Sequence, residues 1–300
     1  MQKLLLIGLV FFLFGCNSTP KMDDYTRHTA MKLNLGKSLP KFYIHQARKI
    51  DIRGEYNNDD SAESGHIMYS GAAGFIGLLT QVATHAAISN SVRNGKLSAS
   101  QLEANKVLTP LAPVIDSLSL NELLFNSNSN SEYDLMSSIS EDGESIHINP
   151  IFFVAPDFSS ISIKNIIWIE KKKSIKGSSK KAKKVRRVRR SKKDNYLYRN
   201  LIQVISREYS QEERDKFQLT KDEGFFKAEL QRLLHESLVI ASREVKGSYT
   251  DNSNKMSTFK IAQQLKKSYF RGYQVDSLNN KLVVRNLRSW LIALPSESVD

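Results

Sequence analysis

Apolar side chains occupy both parities of one nine-residue run, Ile161-Ser-Ile-Lys-Asn-Ile-Ile-Trp-Ile169. Four isoleucines share one parity, and Ile166 and Trp168 lie on the other. Successive side chains of a strand point to opposite faces of its sheet. A strand that is apolar on both faces needs cover on both, so this run predicts a strand in the interior of a sheet.

The next apolar run, Tyr196 to Ser206, has its tyrosines, Ile202 and Val204 at period two, which favours a second strand. Its leucines and Ile205 recur at period four, which permits a helix instead. We predict a long antiparallel hairpin of these two strands, with Lys171 to Lys193 at its tip. A strand followed by a helix is the alternative.

Further elements are predicted in the back half, residues 131–300. Thr220 and Glu223 form a capping box before an amphipathic helix that ends near Gly247. The other predicted elements are a strand from Ile146 to Val154, a helix from Phe259 to Phe270, strands at Tyr273 to Val275 and Leu282 to Val284 around Asn279-Asn280, and a last strand from Trp290 to Leu294.

The front half, residues 39–130, is predicted to be mainly helical. One amphipathic helix includes Leu102 and Leu108 and stops at two prolines, and another extends from Val114 to Phe125. A strand is expected within Lys41 to Glu55, ending near Gly54, and the Asn/Ser segment Asn126 to Ser131 is the expected linker. The predicted fold class is therefore α+β, with a helical front half and an antiparallel, strand-rich back half that carries a long basic hairpin loop.

One front-half segment, Ile67 to Ile88, contains no charged residue across 22 positions. Its length suits a membrane span, but its polar Ser, Thr, Gln and His side chains argue against one. Gly71, Gly74 and Gly77 would let another backbone approach closely. A helix buried or packed against a partner, a membrane or self-association surface, and a span remain as three readings.

The basic segment Lys171–Lys193 holds 14 Lys or Arg and no acidic residue. The rest of the chain then has 44 − 14 = 30 basic against 31 acidic residues, so this segment carries the whole excess charge of +13. An anionic partner is therefore expected at this segment. The residues expected to contact it are Lys180, Lys181, Lys183, Lys184, Arg186, Arg187, Arg189, Arg190, Lys192 and Lys193.

The first sixteen residues have the pattern of an export signal: Lys3, an apolar run from Leu4 to Phe14, and a small residue before cysteine. Leu13-Phe14-Gly15-Cys16 resembles the lipobox of bacterial lipoproteins, with Phe14 in place of the smaller residue usual there. The resemblance implies cleavage between Gly15 and Cys16 and acylation of Cys16, which is the single cysteine of the chain. Residues 1–15 would be the signal peptide and residues 16–38 a lipidated, flexible tether.

The resemblance also implies a location. Asn17 follows the cysteine, where lipoproteins kept in the inner membrane of enteric bacteria typically carry Asp. We therefore expect a lipid-anchored protein of the outer membrane that faces the periplasm.

No linear catalytic or metal-binding motif is present in the sequence, and we expect no catalytic residue, metal or cofactor. Two groups combine acids with a histidine: Asp59, Asp60, Glu63 and His66, and Glu141, Asp142, Glu144 and His147. The first is interpreted as a solvated turn, because binding loops are a minority of polar loops. The second is interpreted as a solvated approach to the sheet, because Gly143 and the following strand argue against a helix that would place Glu144 and His147 on one face.

We therefore expect a non-enzymatic envelope scaffold or assembly accessory whose basic loop contacts anionic lipid, lipopolysaccharide or peptidoglycan. The loop has no aromatic residue for base stacking, and the export signal disfavours nucleic acid as its partner. Two alternatives remain open. One is a homo-oligomeric, membrane-associated assembly through the glycine-rich segment, and the other is an envelope hydrolase whose site forms only in the fold.

The lipid anchor predicts that cells given labelled palmitate incorporate the label into this protein, and that the purified product lacks Met1. Changing Cys16→Ser should abolish labelling, because no thiol remains to carry the acyl chains. Label retained in the Cys16→Ser protein, or an unlabelled wild type that still begins at Met1, would contradict the assignment.

Overall fold

The computed structural model describes residues 28–29, 39–43, 49–55, 98–125, 132–136, 145–170, 196–218, 223–249, 256–263 and 266–296. With the exception of 98–100, these residues belong to one unit that comprises Thr26–Tyr56 and Gln101–Asp300. A second unit comprises Met1–Tyr25 and Asn57–Ser100.

Within the described residues, ten strands form one sheet. Across the sheet their order is β3-β1-β4-β5-β6-β10-β9-β8-β7, and β2 also pairs with β4. In chain order the strands are β1 (Lys41–Tyr43), β2 (Asp51–Gly54), β3 (Asp134–Met136), β4 (Ile146–Val154), β5 (Ile161–Glu170), β6 (Tyr196–Ile205), β7 (Ser257–Gln263), β8 (Lys266–Leu278), β9 (Lys281–Asn286) and β10 (Leu291–Pro295).

The described helices lie in two groups along the chain, one between β2 and β3 and the other between β6 and β7. Residues 98–104 (α1) are α-helical and lead directly into a 3₁₀ helix at Asn105–Leu111. The remaining helices are α2 (Ala112–Ser117), α3 (Leu120–Phe125), α4 (Gln211–Gln218) and α5 (Glu223–Val245). The fold is therefore α+β, with a large, mostly antiparallel mixed sheet.

The predicted hairpin is present and lies inside the sheet. β5 and β6 pair antiparallel from Ser162↔Ile205 to Glu170↔Tyr196, and β4 pairs with the other edge of β5. The isoleucines of one β5 parity join the core under α5. Ile166 packs on the opposite face with Ile151, Phe153 and Leu201. Both faces of β5 are buried, as the sequence pattern predicted.

Helix α5 covers one face of the sheet and is the longest described helix. It buries a stripe of leucines against β5 and β6. The predicted end is confirmed, because Gly247 adopts a left-handed φ of 72° and the Ser248 N–H donates to the Arg243 carbonyl at 2.9 Å. This is the Schellman geometry that favours glycine after a helix.

The turn predicted at Asn279-Asn280 is also confirmed. Asn279 and Asn280 have φ values of 49° and 59°, the pair of left-handed conformations that a two-residue type I′ hairpin turn requires. Asparagine tolerates this conformation better than other residues with side chains. The turn joins β8 to β9.

The helix predicted from Phe259 to Phe270 is wrong. This segment contains parts of β7 and β8, which pair antiparallel, with Phe259 opposite Phe270 and their ring centroids 5.7 Å apart. Phe259 is buried against Val284 and Leu294. Cross-strand packing of these aromatic and β-branched side chains outweighs the period-four spacing that suggested a helix.

The prolines do not stop the front helices as predicted. Pro110 lies within the 3₁₀ helix, and Pro113 lies in the first turn of α2, where its missing N–H costs nothing. The helix predicted from Val114 to Phe125 is broken at Leu118, which is extended at ψ 135°. Ser119 then caps α3 by a reciprocal pair of hydrogen bonds with Glu122, at 3.2 and 3.3 Å.

The mainly helical front half is not confirmed, because β1 and β2 are front-half strands that pair with β4. They replace the single strand expected within Lys41 to Glu55, although Gly54 ends β2 as predicted. The back half is not purely antiparallel, because β10 runs parallel to β6 and β4 pairs in parallel with β1 and β2. The predicted linker, residues 126–131, lies outside the described residues.

Gly54 is needed where β2 meets the helical segment. A Cβ atom there would lie 1.9 Å from the Ala104 carbonyl oxygen, so no larger residue fits without moving the backbone. The Gly54 N–H donates to Asn105 Oδ1, and Gln101 Nε2 donates to the Gly54 carbonyl, both at 2.9 Å. Side chains of the helical segment thus satisfy the backbone N–H and carbonyl groups at the end of β2.

Candidate functional site

The two ends of the predicted basic loop are brought together at the end of the β5–β6 hairpin. Glu170 is paired with Tyr196, and residues 171–195 connect them. The ten predicted anion-binding residues between Lys180 and Lys193 lie outside the described residues. The same holds for Gly15, Cys16 and the three glycines Gly71, Gly74 and Gly77.

Of the two acid–histidine groups, the structure describes only His147. It lies on β4, with its ring stacked on Trp168 at a centroid distance of 5.2 Å and edge-on to Tyr43 at 5.5 Å. His147 is therefore an aromatic packing residue of the sheet surface. The other seven members lie outside the described residues.

His235 lies on α5 and pairs with Tyr133, whose hydroxyl is 2.8 Å from His235 Nδ1. Burial lowers the pKa of His235, although the nearby carboxylates of Glu236 and Glu132 oppose this shift. Within the described part of the chain, no three His, Cys, Asp or Glu side chains converge in a way that could hold a metal ion. The His235–Tyr133 pair joins α5 to the segment before β3.

A polar cleft of about 620 Å³ opens between β6, α5 and the β8–β9 turn. Three cationic and two acidic side chains line it, together with the asparagines of the turn and the end of β10. The lining residues are Arg207, Glu208, Glu229, Arg232, Asn279, Asn280, Lys281, Pro295 and Ser296.

A buried ionic network forms the floor of this cleft. Glu236 is only 1% exposed and Lys281 5%, and the Lys281 ammonium group forms an ion pair with the Glu236 carboxylate. Arg232 bridges the two acids of α5: its Nη1 donates to Glu236 Oε1 at 2.8 Å and its Nε to Glu229 Oε2 at 2.9 Å. The Tyr209 hydroxyl donates to Glu229 Oε1 at 2.6 Å.

The charges of this network stabilise one another. Burial raises the pKa of Glu229, but hydrogen bonds from Arg232 and Tyr209 outweigh burial and hold that pKa below its usual value. Burial lowers the pKa of Lys281, and the Glu236 carboxylate opposes that shift. Burial and the Glu229 charge raise the pKa of Tyr209, so its hydroxyl remains a donor.

A second ionic network lies further along α5. Arg243 bridges Glu132 Oε1 at 2.8 Å and Asp276 Oδ2 at 2.9 Å, and Arg285 of β9 pairs with Glu244 at 2.9 Å. These residues do not line the cleft. Two arginines of one helix thus bridge acid pairs, and Arg232 does so at the cleft.

Sequence reasoning missed the residues of the cleft. The signal that could have revealed them is the spacing of Glu229, Arg232 and Glu236, which at i, i+3 and i+7 places acid, base and acid on one helix face. This face also carries Leu233 and is largely buried. Charges at buried helix positions need partners, so the spacing predicts an internal network.

Comparison with protein-family models, with curated proteins and with solved structures finds no match to this chain. Among the described residues, no helix is both long and apolar enough to cross a membrane.

The buried network predicts that Lys281→Met lowers the free energy of unfolding by about 3–5 kcal/mol, because it removes one of the cations paired with the buried Glu236 carboxylate. Adding Glu236→Leu should restore much of the loss, since Arg232 keeps Glu229 as its partner. Guanidinium denaturation of the two single variants and the double variant measures the coupling.

Lys216→Met is the matched control, because Lys216 pairs with Glu212 in an exposed i,i+4 pair at 3.2 Å. That change should cost about 0.5 kcal/mol or less. Equal losses for Lys281→Met and Lys216→Met would contradict a stabilising buried network.

Proposed function

We propose that this chain is a non-enzymatic, lipid-anchored protein of the bacterial outer membrane that faces the periplasm and serves as an envelope scaffold or assembly accessory. Acylated Cys16 would be its anchor, and the basic segment Lys171–Lys193 its contact with anionic envelope components. The observation that carries the proposal is the concentration of 14 cationic residues in one segment of an otherwise neutral chain.

The position of the segment in the fold supports this role. Its ends follow Glu170 and precede Tyr196, which are paired neighbours at the end of a buried hairpin. The described strands β5 and β6 complete their ladder without any residue of the segment. A recognition segment inserted between paired strand ends can vary without altering the core, as is usual for functional loops.

The energetics of such a contact are additive and sensitive to salt. One Lys or Arg near an anionic membrane surface contributes ~1 kcal/mol, and the attraction falls off over a Debye length of ~8 Å at physiological ionic strength. Acyl chains on Cys16 would keep the domain close to the membrane and raise the effective concentration of the segment. Weak individual contacts then suffice for stable attachment.

The basic segment predicts binding to vesicles that contain phosphatidylglycerol or lipopolysaccharide but not to vesicles of phosphatidylcholine. Replacing Arg186, Arg187, Arg189 and Arg190 by Gln should weaken binding by two to three orders of magnitude, because four contacts of ~1 kcal/mol each are lost. Vesicle co-sedimentation measures this binding. The protein used lacks its first sixteen residues, so an acyl anchor does not contribute.

The control replaces four lysines that lie outside the segment, Lys49, Lys106, Lys216 and Lys227, by Gln and so removes the same charge. All four have acidic partners in the described domain. Its binding should stay within about threefold of the parent chain. Equal weakening in both variants, or binding that 0.5 M salt leaves unchanged, would sink the proposal.

A further inference from the structure

The cleft beside α5 has cationic donors that its own acids do not fully use. Arg232 has five N–H groups, of which three are engaged with Glu229 and Glu236. Lys281 has three ammonium hydrogens, and within the part of the chain that the structure describes its side-chain hydrogen bond is to Glu236. Both residues line the cleft. Donor capacity therefore remains at its floor.

The carboxylates of the cleft wall are, in contrast, already engaged. Glu229 Oε1 accepts from Tyr209 and Arg232, and its Oε2 accepts from Arg232 as well. Glu208 Oε1 accepts from Arg214 Nη2 at 2.8 Å. Both acids of the lining thus have cationic partners within the domain.

The size of the cleft indicates more than a bare ion. About 620 Å³ is within the range of 300–1,000 Å³ usual for small-molecule sites. The remaining lining includes the amide side chains of Asn279 and Asn280, the hydroxyl of Ser296 and the apolar ring of Pro295. Its polar groups suit hydroxyl or amide groups on the body of a ligand.

We propose that this cleft binds a small polar molecule that carries one oxyanion, a carboxylate or a phosphate, with Arg232 and Lys281 as the groups that recognise the anion. The ion pairs with Glu229 and Glu236 hold both cations in place before the ligand arrives, so little side-chain entropy is lost on binding. Each Nη atom of Arg232 has one N–H group beyond those that bind Glu229 and Glu236, and a charge-assisted hydrogen bond from such a group to a carboxylate or phosphate oxygen is a strong one.

The site is proposed separately from the basic segment, since the described residues that line it come from other parts of the chain. A failure of vesicle binding therefore leaves the proposed ligand site untouched. A failure of ligand binding in the cleft leaves the proposed envelope role untouched.

The test is isothermal titration of the full-length protein in detergent with two probes, N-acetyl-D-alanyl-D-alanine for a carboxylate and glycerol 3-phosphate for a phosphate. At least one probe should bind saturably with a stoichiometry near one, and the tighter probe identifies the oxyanion. Arg232→Gln should weaken that binding at least tenfold.

Arg243→Gln is the matched control. Arg243 also lies on α5 and bridges two acids, Glu132 and Asp276, but it is not among the residues that line the cleft. It should change the affinity less than twofold, as should the variant with four arginines of the basic segment replaced by Gln. Equal weakening by Arg232→Gln and Arg243→Gln, or loss of binding in the basic-segment variant, would overturn the assignment.

Asn280→Gly tests the site without disturbing a buried charge, because glycine tolerates the left-handed backbone of that position. This change removes an amide group from the cleft wall and should weaken binding three- to tenfold. It therefore tests the site even if the Arg232→Gln protein does not fold. Absence of saturable binding of both probes to the unaltered protein would also refute the proposal.

Discussion

The pairing of β5 with β6 is the interaction on which the described domain is built. Both strands are buried along most of their length, and each offers its second edge to a neighbour, β4 on one side and β10 on the other. Helix α5 then covers one face of the pair. The hairpin is extended on one side through β4, which also pairs with the front-half strands β1 and β2, and on the other through β10, which pairs with β9.

This arrangement explains how a fold can carry a strongly basic insertion. The strands close at Glu170 and Tyr196, so the loop between them adds only closure entropy, which grows by about 0.6 kcal/mol for each doubling of loop length. Fourteen like charges would be prohibitive within a core, and the described pairing of β5 with β6 uses none of them.

The ionic network of α5 adds a second constraint. A buried lysine on β9 must meet Glu236, and a helix shifted by one turn would separate the Lys281 ammonium group from this carboxylate and leave Glu236 with Arg232 alone. Such a pair contributes little net stability compared with apolar residues, and we take its role here to be the registration of α5 on the β8–β9 hairpin. The same requirement holds Arg232 and Lys281 at the floor of the cleft, so structural and recognition roles coincide there.

Much of the fold could be predicted from local patterns and the candidate cleft could not. The isoleucine parity of β5, the end of α5 at Gly247 and the Asn279-Asn280 turn each follow from chemistry within a few residues. The helix predicted from Phe259 to Phe270 was wrong because the apolar spacing of this segment fits both the helix period and the strand period. Only contacts with distant strands decide between the two. The cleft joins residues from four separate segments, 207–208, 229–232, 279–281 and 295–296, and no local pattern reports such convergence.

The central claim is that the β5–β6 hairpin stabilises the domain without help from the basic segment. Deleting Lys171–Lys193 leaves Asp194-Asn195 as a two-residue loop between Glu170 and Tyr196, a composition that suits a tight hairpin turn. Amide hydrogen exchange of the full-length protein and of this deletion variant compares the strands directly. The account predicts equal protection for the amides of Ile163 to Ile167 and Leu201 to Ile205 in both proteins. Loss of that protection in the deletion variant would contradict it.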